Sequence, residues 1–146
     1  MASADFVATP KPLPDLKIPS SNNTVTVRVI DSTAFGKGPA KLVFSPRIPG
    51  HETMEFPCFS FLISNEAKNK HVLFDIGIRK DYWNLAPAVA SRITGDNPLF
   101  KVDVEKNVAD ILDEGAVGVS SKDIDSVIWS HHHWVSAHEH GRSFAF

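Results

Sequence analysis

The sequence predicts a mixed α/β fold, and three observations predict it. Apolar and polar residues alternate in TVTVRVID, the two-residue period of a strand with one buried face. Two apolar runs, EFPCFSFLIS and HVLFDIG, flank the polar connection NEAKNK, as in a β-hairpin. A helical spacing in DVEKNVADILDEG then leads to a further apolar strand in DSVIWS, so strands and helix share one layered arrangement.

Each element follows from its residues. Residues 1–23 carry Pro10, Pro12, Pro14 and Pro19 and end in SSNN. Proline fixes φ and lacks a donor, so this stretch is expected to be a flexible, extended N-terminal segment. Val25, Val27 and Val29 are the expected buried face of the first strand, and STAFGKGPA reads as the punctuation that ends it. HVLF is nearly continuous in its apolar character, as a strand buried on both faces would be. RKDYWNLAPAVASRI is expected to hold a helix broken near Pro87. In the next helix Val104, Val108, Ile111 and Leu112 fall on one face, and Gly115 marks the stop. The last strand, Ser126 to Trp129, delivers the chain to His131.

The totals exclude several classes. A chain of 146 residues fits one domain, and 42% apolar residues suffice for a core. Fifteen basic side chains face seventeen acidic ones, without the basic excess of a nucleic-acid binder. One cysteine, Cys58, excludes an internal disulfide. It reads either as packing in an apolar stretch or as a reactive thiol, which would need an electropositive, accessible setting. The N-terminus lacks a basic region followed by an apolar run, and no window is long enough to span a membrane. A cytoplasmic protein is expected.

Five of the seven histidines fall between His131 and His140, in SHHHWVSAHEHGRSFAF. Alternate residues of an extended segment share a side, so His131 and His133 project together while His132 faces away. Two imidazoles held just beyond a rigid strand make half of a zinc site. The same spacing is also met in solvated surface loops, and both readings stand on spacing alone.

SVIWSHHHW resembles the segment of the metallo-β-lactamase superfamily in which a strand runs into histidine–any–histidine–any–aspartate–histidine. VLFDIGIRKDYWNL is similar to the same superfamily's upstream strand ending in aspartate–any–glycine, and the wording of both is closest to its lactonase-like fungal branch. The resemblance covers roughly residues 24–134. It implies the N-terminal half of an αββα sandwich and a zinc-dependent hydrolase acting on a lactone or ester. It also implies that His131 and His133 are metal ligands and that Asp75 supports the metal loop without binding metal. Trp129 and Trp134 would pack around that loop.

The pattern then departs. Where the family has aspartate and histidine after Trp134, this chain has Val135 and Ser136, which cannot replace a second metal's ligands. His138, Glu139 and His140 repeat the spacing but follow no predicted strand, so holding them on a metal would cost ordering entropy. The splice-donor hexamers GTAAGT and GTGAGT both encode Val-Ser, so residues 135–146 read as a non-family tail translated from an intron. The family's remaining ligands would lie beyond residue 146, so the chain is expected to be truncated and inactive. An alternative is a non-catalytic fragment with weak histidine-mediated metal binding. A half-sandwich should also leave an apolar sheet face uncovered, with Phe56, Phe59, Phe61, Leu73 and Phe74 as its expected residues, and should fold marginally.

Overall fold

The computed structural model describes residues 11–115 and 117–131. Five strands form one mixed sheet in the order β4-β1-β2-β3-β5. They are β1 (Thr26–Pro39), β2 (Thr53–Asn65), β3 (Lys70–Phe74), β4 (Lys101–Val104) and β5 (Ser126–Ile128). All neighbours are antiparallel except β3 and β5, which run parallel. Two short helices follow the hairpin, α1 (Pro87–Ile93) and α2 (Val108–Asp113). Residues 11–25 are exposed and form no helix or strand.

The expected hairpin is present. Asn65 caps a turn of 3-10 helix by accepting the Lys68 N–H at 3.1 Å, and Asn69 takes a left-handed φ of 48° to start β3. Asparagine tolerates that region better than most residues.

The first strand differs from expectation in length and in face. It runs through STAFGKGP without stopping. Gly36 and Gly38 are not turn residues: a Cβ there would sit 2.2 Å from the Phe56 ring and 2.1 Å from the Phe100 ring. These glycines let two aromatic side chains lie on the strand backbone. The ladder to β2 is interrupted by a bulge between Asp31 and Phe35, where Thr33 has φ 55°. Thr33 Oγ1 accepts the Lys106 N–H at 2.8 Å, which ties the approach to α2 onto this bulge.

The buried face of β1 carries Ile30, Ser32 and Ala34, whereas Val25, Val27 and Val29 are more than half exposed. Alternation gave the period correctly and the buried side wrongly. Ile30 packs with Leu62, Leu73 and Ile76 against Val108, Ala109 and Leu112 of α2, joined by Val119 and Ile124. A second cluster sets Ala34, Ile78 and Val104 against Cys58 and Tyr82. Burial pushes the Cys58 thiol above its usual pKa, so the packing reading fits this cysteine.

Among the described residues no helix covers the other face. It carries Val27, Val29 and Phe59 with Ile63, and Phe61 edge-on to Phe74 with ring centroids 6.2 Å apart. Phe59, Phe61 and Phe74 therefore stand on the expected uncovered face. Leu73 does not: it is fully buried on the covered side, and Phe56 lies over Gly36. HVLF accordingly buries one side only, Leu73 being its one fully buried residue.

Two further expectations are corrected. Pro87 starts α1 at its first turn, where its missing N–H has no intrahelical partner to lose. Val104 ends β4, and α2 begins only after Asn107. Gly115 follows α2 with φ 81°, as expected of a helix stop.

Candidate functional site at the carboxyl ends of β3 and β5

Parallel strands β3 and β5 end side by side, and the loops leaving their carboxyl ends carry Asp75 and His131. In sheets with parallel strands this end is where ligands bind, because the diverging loops leave a crevice. Asp75 follows Phe74 with φ 57°, a left-handed conformation that aspartate tolerates. Its N–H donates to the Ile128 carbonyl at 2.8 Å, and its Oδ1 accepts the Ser130 N–H at 2.9 Å. The two bonds clasp the chain leaving β5 to the chain leaving β3.

Gly77 continues the turn with φ 66°. A Cβ there would lie 2.7 Å from Ser32 Cβ, so the segment approaches β1 as closely as glycine permits. Ile78 then enters the second core cluster, and Asn107 Oδ1 accepts the Lys80 N–H at 2.8 Å. Arg79, 3% exposed, grips Asp81 through both carboxylate oxygens, Nε–Oδ1 at 2.6 Å and Nη2–Oδ2 at 2.5 Å. That fork, helped by Asn84, holds the Asp81 pKa down at about 2.

The opposite end of the parallel pair is clamped as well. Asp125 Oδ2 accepts the His71 N–H at 2.8 Å, its own N–H donates to the His71 carbonyl at 2.8 Å, and its Oδ1 pairs with Lys70. The Lys70 ammonium and the His71 amide hold its pKa below the usual carboxylate range. Sequence reading missed Asp125, Ser130, Arg79 and Asp81. An aspartate immediately before a short apolar strand, in DIDSVI, was the available signal for the first.

His131 is exposed, and its Nδ1 lies 2.7 Å from Ser130 Oγ. An imidazole nitrogen is a common metal donor. His131 therefore fits as one nitrogen donor of a zinc centre. A zinc site needs about four donors. Among the described residues no group of three or more His, Cys, Asp or Glu side chains is arranged to hold a metal. His133, together with His132, Trp134, His138, Glu139 and His140, lies outside the described residues, as do residues 135–146 as a whole. Trp129 is half exposed.

The same fold occurs in solved lactonases. An AiiA variant of B. thuringiensis, crystallised with N-decanoyl-L-homoserine at its active site, superposes with a TM-score of 0.54 at 19% identity, over 76% of this chain and 42% of that one. An N-acyl homoserine lactone hydrolase with N-hexanoyl-L-homoserine at its catalytic metal centre gives a TM-score of 0.54 at 18% identity, with the same coverages. The chain thus has a partial metallo-β-lactamase-type α/β fold, and the resemblance carried by its two motifs holds for the part of that fold it spans.

Sequence relatives are fungal. The metallo-hydrolase mfmC of Annulohypoxylon moriforme is 40% identical over 128 residues, which are 86% of this chain and 33% of that protein. The γ-lactamase FDB1 of Fusarium pseudograminearum is 32% identical over 126 residues, 83% of this chain and 30% of that protein. The cytochrome P-450 monooxygenase mpaDE of Penicillium brevicompactum is 40% identical over 123 residues, yet the chain spans only 14% of its length. A match to so small a share does not bring the oxygenase activity of that name to this chain. No family model matches. Two of these relatives carry hydrolase names, metallo-hydrolase and γ-lactamase, and the chain spans about a third of the length of each. No helix among the described residues is long and apolar enough to cross a membrane.

Proposed function

We propose that the chain supplies the N-terminal share of a zinc-dependent hydrolase that opens a lactone or a related cyclic ester or amide. His131 and His133 would each give a nitrogen to the metal, and Asp75 would hold the loop that carries them. Bound zinc would supply an acidified water and a polarised carbonyl. The observation that carries the reading is the clasp between Asp75 and Ser130, which fixes the backbone one residue before His131. The names of the γ-lactamase and the lactone hydrolases support a small cyclic substrate. A single unpaired thiol suits a reducing compartment such as the cytoplasm.

The polypeptide of residues 1–146, taken by itself, is proposed to bind zinc weakly and to turn over no substrate. Its span of about two-fifths of the solved lactonase chains favours that reading. Zinc content after dialysis and hydrolysis of an acyl homoserine lactone test both proposals. Substoichiometric, chelator-labile zinc without turnover is expected of residues 1–146. Stoichiometric zinc with turnover in this polypeptide would refute the inactive reading and retain the hydrolase reading. Zinc binding indifferent to replacing His131 and His133 together would refute the assigned ligands.

A further inference from the structure

Strand β1 is paired on both sides only in its later part. β2 lies along one side from Thr26 to Pro39, whereas β4 meets the other side only from Ala34 to Lys37. The Glu105 N–H donates to the Thr33 carbonyl at 3.4 Å and closes that second side at the bulge. From Thr26 to Ser32, no strand among the described residues pairs with it. An open edge of this kind templates a further strand unless lysine, proline or a bulge blunts it. Residues 24–30, TVTVRVI, hold none of the three.

The side chains select a partner and a register. Val27 and Val29 are 55% and 61% exposed on the uncovered face, and Val25, 53% exposed, continues their alternation. Two antiparallel copies related by an axis perpendicular to the sheet keep like faces together, so opposed residues are both odd or both even in number. With the axis at Val27, Val27 meets its own copy, Val25 meets Val29, Thr26 meets Arg28 and Thr24 meets Ile30. An axis at Arg28 opposes two guanidinium groups, which is destabilising. An axis at Val29 sets Val27 against Asp31 and drives the partner into the closed bulge. The register centred on Val27 pairs all three exposed valines and opposes no like charges.

We propose that β1 of a second copy of this chain pairs antiparallel along this edge, centred on Val27, and joins two five-stranded sheets into one. The contact uses the same patch of both copies, so it consumes both edges and stops at a dimer. It does not involve Asp75 or His131 and is independent of the hydrolase reading.

Amide hydrogen exchange and sedimentation equilibrium of the 146-residue chain against concentration test it. Both are measured with Phe59→Ser in place, so that stacking of uncovered faces contributes least. Exchange at alternate amides of residues 24–30 should slow as the concentration rises. Thr26→Glu sets a carboxylate opposite Arg28 twice in the dimer and should tighten it about fivefold. Thr26→Lys should weaken it about fivefold, and adding Arg28→Glu to that variant should restore it. These differences should shrink in high salt. Thr26 and Arg28 are exposed and alternate with the valines, on the side of the sheet opposite Phe59, so stacking through Phe59 would not follow these changes. A monomer at every concentration would overturn the proposal. So would protection gained only around Phe61 and Phe74, or a dimer indifferent to the charge placed at Thr26.

Discussion

Asp75 performs two separable tasks, and three substitutions separate them. Its carboxylate accepts the Ser130 N–H, and its backbone occupies φ 57°. A hydrogen bond to a charged acceptor contributes about 1.5–3 kcal/mol when shielded, and about 1 kcal/mol at this exposed amide. Holding alanine in the left-handed region costs roughly 1 kcal/mol more than holding aspartate there. Asp75→Ala should therefore destabilise by about 2 kcal/mol. Asp75→Gly relieves the backbone but loses the bond, so about 1 kcal/mol is expected. Asp75→Asn keeps an acceptor oxygen and tolerates the conformation, which leaves about 0.5 kcal/mol. Urea unfolding ranks the three, and amide hydrogen exchange at Ser130 reports the clasp directly. Exchange at Ser130 should accelerate about fivefold in the alanine and glycine variants and little in the asparagine variant. Equal stabilities for alanine and asparagine, or unchanged exchange at Ser130, would refute the clasp.

Three other outcomes follow from the same structure. Ser60 Oγ is fully buried and has no hydrogen-bond partner among the described residues, so Ser60→Ala should be neutral or stabilise by about 1 kcal/mol in urea unfolding. Asp81 has its pKa depressed to about 2 by Arg79, so its share of stability is complete above about pH 5 and is lost as pH falls toward 2. That share is about 1 kcal/mol after discounting for solvent, and Asp81→Asn should flatten this part of an acid titration followed by circular dichroism. The uncovered sheet face should drive self-association, and Phe59→Ser should shift sedimentation toward monomer with less than 1 kcal/mol lost, because Phe59 is already 46% exposed.

Local chemistry that was self-contained was legible in the sequence. The NEAKNK hairpin, the strand before His131 and the Gly115 stop each rest on residues within a few positions of one another. Long-range contacts were not. Gly36 and Gly38 look like loop residues until the Phe56 and Phe100 rings are seen lying on them. Alternation in TVTVRVID cannot say which side is buried, because α2, which covers the other side, lies about eighty residues later. Val104 fits a helical stripe by spacing, yet pairing with Ala34 on β1 draws it into a strand. The roles of Asp125 and Ser130 depend on residues more than fifty positions away. Asp75 was found through the motif resemblance, and the geometry adds the bond by which it could steady the loop.

The most direct test is a long-range proton–nitrogen NMR correlation of the His131 imidazole, recorded with and without zinc. The account predicts a proton on Nδ1, shared with Ser130 Oγ, and a coordination shift on Nε2 when zinc is added. A ring that ignores zinc, or one that binds it through Nδ1, would contradict it.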